Sequence, residues 1–121
     1  MDKFTSIDPN SLSTSELHKM LLLSVAPRPI ALASTVDKKG NVNLSPFSCF
    51  NMFSANPPIL IFSPSRRVRD NSTKDTLENI KQVKEVVINI VNFSIVEPVS
   101  LASTEYETGV DEFKKSGLTP L

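Results

Sequence analysis

Residues 30–62, IALASTVDKKGNVNLSPFSCFNMFSANPPILIF, decide the fold class. Ile30 to Val36 is short, apolar and β-like, and closes on the polar pair Ser34 and Thr35. Asp37 to Asn41, DKKGN, carries the Gly and Asn that a hairpin turn requires. Val42 to Phe53 resumes an extended pattern, and Pro46 within it predicts a bulge, a bend or an edge position. Asn56, Pro57 and Pro58 form a turn, and the continuous apolar run Ile59 to Phe62 predicts a buried strand.

Outward from this block the chain alternates short helices with strands. Ser13 followed by Glu16 has the capping-box form, and Leu17, Met20 and Leu21 continue at helical spacing until Pro27 and Pro29. Residues 1–12 are polar and read as a lead-in arm; His18 reads as a surface side chain. Glu85 to Val91, EVVINIV, is rich in β-branched residues and is the strongest strand signal. Glu97 to Thr104 reads as a short helix, Thr108 to Val110 as a turn, and Asp111 to Lys115 as a helical turn stopped by Gly117. The expectation is a single domain over residues 1–121, mainly β with short helices. Its open sheet edges call for cover, either by another chain or by further sequence of the same domain.

Composition excludes several function classes. Thirteen basic and thirteen acidic residues cancel, so no global field favours nucleic acid or anionic membrane. One cysteine, Cys49, and one histidine, His18, leave neither an internal disulfide nor a cysteine-based or two-histidine metal site. With three glycines, Gly40, Gly109 and Gly117, neither a dinucleotide Gly fingerprint nor a P-loop can be written. No nucleophile–base pair is evident, and G-x-S-x-G is absent. Asp111 and Glu112 are adjacent and read as first-turn helix charges. The polar start and the lack of an apolar run near 20 residues suggest a soluble, cytoplasmic setting.

Two stretches could hold a ligand. In residues 66–80, RRVRDNSTKDTLENI, Arg66, Arg67, Arg69 and Lys74 precede a helix with Asp75 at its expected N-cap and Glu78 three residues on. Leu77, Ile80 and Val83 mark its apolar face. Helix-start amides and cationic donors suit phosphate oxygens, although a solvated basic loop would read the same way. Between Ser34 and Asn56, small hydrogen-bonding residues alternate with phenylalanines, a mixture that suits a flat heteroaromatic ring or simply polar strand ends. This profile fits a protein whose cofactor performs the chemistry.

APRPIALAST, VNLSPFSCFN, NPPILIFS, TKDTLENI, VVINIV and STEYETGVDEFKKSGLTP follow one another over residues 24–121. In order and spacing they resemble the flavin reductase-like, FMN-binding split-barrel family, nearest its flavoredoxin branch. The resemblance implies a dimeric Greek-key split β-barrel, incomplete in this chain, with FMN near the subunit interface. It implies hydride transfer from NADH or NADPH to flavin, with free flavin, oxygen or an electron-acceptor protein downstream. A flavin-binding electron carrier without a nicotinamide site, or a truncated non-catalytic module, are the alternatives. By motif, Lys74, Asp75 and Thr76 would hold the phosphate, Ser34 and Thr35 would lie near the flavin, and Ser48, Cys49, Phe50 and Asn51 would run along its ring and ribityl chain. Leu32 stands where many relatives have tryptophan. Cys49 stands at an often aromatic position, as inert packing or as a thiol that tunes or reacts with flavin.

Overall fold

The computed structural model describes residues 4–107 and 109–120. Asp37 closes the first hairpin: its amide donates to the Asn41 carbonyl at 3.0 Å, and its carboxylate accepts from the Lys39 and Asn41 amides. Gly40 takes φ 87°, a left-handed conformation that an L side chain would strain. The strands on either side are β1 (Ala31–Val36) and β2 (Val42–Phe47), antiparallel with Ala31 opposite Phe47 and Val36 opposite Val42. A later strand, β5 (Val87–Ile90), pairs antiparallel with the other side of β1, giving a three-stranded sheet in the order β2-β1-β5.

The extended stretch expected over Val42 to Phe53 is two strands in two sheets. After Pro46 the chain turns at Ser48 and Cys49, and β3 (Phe50–Ala55) pairs with β4 (Pro58–Phe62) in a separate two-stranded sheet. Pro46 lies on the edge strand β2, where its missing N–H interrupts no ladder. Among the described residues the two sheets do not close into a barrel. The strand expected to be buried over Ile59 to Phe62 is instead largely exposed, with Leu60 at 52% and Ile61 at 48%. The EVVINIV strand shortens to four residues, with Val87 and Ile90 open to solvent.

Four helices complete the described residues. The first, α1 (Thr14–Ser24), carries the expected capping box: Ser13 Oγ accepts from the Glu16 amide, and the Glu16 carboxylate accepts from the Ser13 amide at 2.9 Å. No residue of α1 is buried. Next come α2 (Asp75–Gln82), α3 (Val96–Ala102) and α4 (Glu112–Ser116). Asp111 caps α4, and Gly117 ends it at φ 72°, with the Leu118 amide returning to the Phe113 carbonyl. The expected turn at Thr108–Val110 and the lead-in arm over 1–12 fall partly outside the described residues, at Thr108 and at residues 1–3. Residues 4–12 are almost wholly exposed apart from half-buried Leu12, with one short turn at Pro9–Ser11.

Strand alternation gives the three-stranded sheet two different faces. On one, Leu32 and Leu44 join Val99 and Ala102 of α3 and Phe113 of α4 in the apolar core. Among relatives of the expected family Leu32 would often be tryptophan; here it is a core side chain. On the other face α2 docks, and its buried residues are Thr76 and Asn79 rather than the expected Leu77, Ile80 and Val83, which are half-buried. Asn43 Nδ2 donates to Thr76 Oγ1 at 3.0 Å, and Asn79 Nδ2 donates to Thr35 Oγ1 at 3.2 Å, both fully within the fold.

Thr76→Val keeps the shape of residue 76 but leaves Asn43 with a buried, unpaired donor. Urea unfolding should show a loss of about 1–3 kcal/mol. Adding Asn43→Leu should recover part of it, a coupling that a double-mutant cycle reads directly.

Candidate functional site

The start of α2 lies one residue earlier than the sequence suggests. Lys74 is the N-cap, because its carbonyl accepts the first helical bonds from the Leu77 and Glu78 amides at 3.0 and 3.3 Å. Asp75 is therefore the first helical residue and caps nothing; its carboxylate turns to Arg67 at 3.8 Å, and Glu78 pairs with Lys81. The amides of Asp75 and Thr76 have no acceptor among the described residues, which leaves two donors at the positive end of the helix dipole.

The preceding basic loop is a closed turn. The Arg67 amide donates to the Ser72 carbonyl at 2.9 Å, and the Asn71 amide returns to the Arg67 carbonyl at 2.8 Å. Asn71 takes φ 56°, and Asp70 accepts from both the hydroxyl and the amide of Ser72, bonds that hold its carboxyl down to about 2. The Arg67 side chain folds back onto the Thr73 carbonyl and Ser72 Oγ. This separates the three arginines: Arg67 is half-buried and lines a small pocket of 60 Å³ with Lys74, Asp75 and Thr76, whereas Arg66 and Arg69 face away from it. Asn43, Ser45 and the 103–106 segment form the other walls.

Lys74 Nζ also stands 5.3 Å from the centroid of the Phe47 ring, a cation–π arrangement. Phe47 in turn packs against Phe62 of β4, ring centroids 5.2 Å apart. Phe47 thus joins the Lys74 pocket to the hairpin that begins at Ser48–Asn51. In that segment Ser48 Oγ accepts from Arg28 Nε at 3.3 Å, Phe50 is buried, and Asn51 turns its Oδ1 to the Met52 amide at 2.8 Å. Cys49 is an exposed free thiol rather than packing. The cavities that Lys74 lines include neither Ser48 nor Asn51; the shared element is Phe47.

Ser34 and Thr35 point to opposite faces of β1. Ser34 lies on the core face, beside an open hollow of 510 Å³ between the sheet and Phe113 and Leu118. The Thr35 hydroxyl accepts the Asn79 bond beneath α2. Thr76 likewise spends its hydroxyl on Asn43, so only its amide is open to a ligand.

Sequence reasoning gave no site role to Arg28, Asn43 or Glu112, although it did read Glu112 as the first-turn helix charge that it is. Arg28 bridges Ser48 to the carbonyls of Leu22 and Val25, tying the end of α1 to the β2–β3 turn; its position between two prolines was the available signal. Glu112 Oε2 accepts from the Leu44 amide at 3.2 Å and lines the Lys74 pocket. Burial raises its carboxyl above the ordinary range, only partly offset by backbone amides.

A family model described as "Flavin reductase like domain" matches residues 23–121. An uncharacterised protein of Aquifex aeolicus (strain VF5) is 43% identical over 104 residues, covering 86% of this chain and 53% of that protein. The crystal structure of nitrilotriacetate monooxygenase component B from Bacillus cereus superposes with a TM-score of 0.91 at 31% identity, covering 100% of this chain and 59% of that one. The crystal structure of a chain with a split barrel domain from Shewanella frigidimarina NCIMB 400 matches at TM-score 0.72 and 36% identity over 93% of this chain and 54% of that one. The chain therefore spans about half the length of the curated relatives it matches.

The raised carboxyl of Glu112 has a signed consequence. Its folded value exceeds its unfolded one, so charging it weakens the fold as pH rises through and beyond the ordinary carboxylate range. Glu112→Gln keeps an acceptor for the Leu44 amide without the charge. Thermal melts should show Glu112→Gln more stable than wild type at pH 7, with the difference vanishing near pH 4.

Proposed function

We propose that this chain, which belongs to the flavin reductase-like domain family, holds FMN in an oxidoreductase that takes hydride from NADH or NADPH. The observation that carries the reading is the start of α2. Two helix amides without acceptors, the Lys74 ammonium and the Arg67 guanidinium converge on one pocket beside the Phe47–Phe62 pair. Such a donor set matches a phosphate monoester, with charge-assisted bonds at a helix terminus. The residues present therefore fit the group: Lys74, Arg67 and the amides of Asp75 and Thr76 for the phosphate, Phe47 and the Ser48–Asn51 segment for the ring and its polar edge.

Bound flavin supplies the redox chemistry; the protein supplies position. Asp75, Glu105 and Glu112 also line the pocket, and their charges oppose an anion. Arg67 stands 3.8 Å from Asp75 and offsets that carboxylate. The Asn43–Thr76 bond keeps the Thr76 amide aimed outward while its side chain is locked inside. No side-chain acid or base is required, because hydride transfer depends on bringing two rings into contact. The relation to nitrilotriacetate monooxygenase component B supports a place among redox partners of flavin chemistry. A homodimer that buries the apolar surface of β3 and β4, where Met52, Phe53 and Leu60 are exposed, belongs to the same reading.

Purified full-length protein should acquire a flavin absorption spectrum on titration with FMN. Lys74→Ala should weaken FMN by about 1.5–3 kcal/mol, the worth of a charge-assisted bond, and leave riboflavin nearly unchanged. Equal loss for both ligands would remove Lys74 from the phosphate. Stopped-flow bleaching of bound flavin by NADH or NADPH then separates a reductase from an electron carrier that takes electrons from a protein.

A further inference from the structure

A second cationic cavity lies on the far side of Lys74. It is a cleft of 610 Å³ between α1 and the Arg66–Arg69 turn, within the size range of small-molecule sites. His18 and Lys19 of α1 face Arg66, Arg67 and Arg69 of the turn, with Lys74 between the two pockets. Among the described residues, Glu105 is the one acid in the lining. Arg67 is engaged by Asp75, and Arg69 by Asp70 and Glu105, at 3.8, 3.4 and 3.6 Å. Lys19, Arg66 and Lys74 form no ion pair among the described residues. Arg66 is held in place by its bond to the Asn71 carbonyl at 2.7 Å, which leaves its other N–H groups for a ligand.

The cleft is not uniformly charged. Leu22, Leu23 and Val68 give it an apolar wall, and Leu23 is 74% exposed. A free inorganic anion has no use for such a wall, and an extended polyanion would need a longer basic stripe than a chain of zero net charge provides. A phosphorylated adenosine uses both parts: its phosphate meets the cations and its purine covers the leucines. Most of α1, including His18 and Lys19, precedes the residues 23–121 matched by the family model. Arg28 nonetheless fastens the end of α1 to Ser48, so the wall is held to the domain.

We propose that this cleft binds the 2′-phosphoadenosine end of the nicotinamide donor, which makes NADPH the preferred reductant. The 2′-phosphate is the group by which NADPH differs from NADH, and it is the group the unpaired cations suit. Lys74 borders both cavities, so a donor seated here begins one side chain away from the pocket for the flavin phosphate. Assigning the cleft to the donor rests on the flavin reductase reading; its ligand chemistry does not.

The test uses the full-length protein and Lys19→Glu, an exposed substitution outside the flavin pocket. Calorimetry should show adenosine 2′,5′-bisphosphate binding more tightly than adenosine 5′-monophosphate, and at least about fivefold more weakly in the variant. FMN affinity should stay unchanged, and KM for NADPH should rise by a similar factor with kcat intact and KM for NADH little altered. Absence of bisphosphate binding, equal binding by the variant, or competition between bisphosphate and FMN would overturn the proposal. Bisphosphate binding that depends on Lys19 while KM for NADPH does not change would make the ligand a free nucleotide and overturn the donor assignment. A protein that binds bisphosphate through Lys19 but takes up no flavin would sink the flavin reading and uphold the cleft as an adenosine-phosphate site.

Discussion

Two buried side-chain hydrogen bonds, Asn43 to Thr76 and Asn79 to Thr35, set the position of α2 on the sheet, and every feature of the candidate site follows from that position. An apolar contact would tolerate sliding or rotation of the helix at small cost. A buried amide facing a buried hydroxyl does not, because any shift that breaks the bond strands a polar group away from water. The result is a helix whose start is held in register with β2, so that Lys74 projects over Phe47 and the first amides of α2 open beside Asn43 and Ser45.

Phe47 carries that placement from one sheet to the other. It lies at the end of β2 on the face that receives α2, and its ring meets both Lys74 and Phe62. The chain leaves β2 immediately afterwards, and Arg28 holds the turn at Ser48. A polar, cationic side and an aromatic side therefore flank a single ring. The same docking divides the basic turn: Arg67 is drawn inward by Asp75 and Thr73, while Arg66 and Arg69 face the cleft under α1. One short turn thus contributes to two cavities of different character, one small and polar, the other wide with a leucine wall.

Much of the local structure was legible in the residues. The DKKGN turn, the Ser13–Glu16 box and the Gly117 stop each depend on backbone chemistry within a few positions, and each occurs where the sequence places it. The order of six motifs foretold the family and the split-barrel strands. The boundary of α2 was misplaced by one residue because Asp75 suits an N-cap in isolation; in the fold its carboxylate faces the Arg67 guanidinium at 3.8 Å, and the Lys74 carbonyl takes the first helical bonds. Ile59 to Phe62 read as buried because continuous apolar strands usually are; in this chain the surface opposite it is open. Residues 42–53 read as one extended piece because pattern alone does not say that Phe47 and Phe50 serve different sheets.

By itself the sequence determined most of the secondary elements, the helix stops and the family, since these depend on short-range propensity and spacing. The tertiary structure decided which groups are free to act. Thr35 and Thr76 spend their hydroxyls inside the fold, Ser34 faces the hollow, Arg67 rather than its neighbours joins Lys74, and α1 supplies the wall of a second cleft. Several of those outcomes hinge on partners 20 to 44 positions apart in the chain, such as Arg28 with Ser48 and Thr35 with Asn79, and such pairings exist only once the sheet and helix have packed.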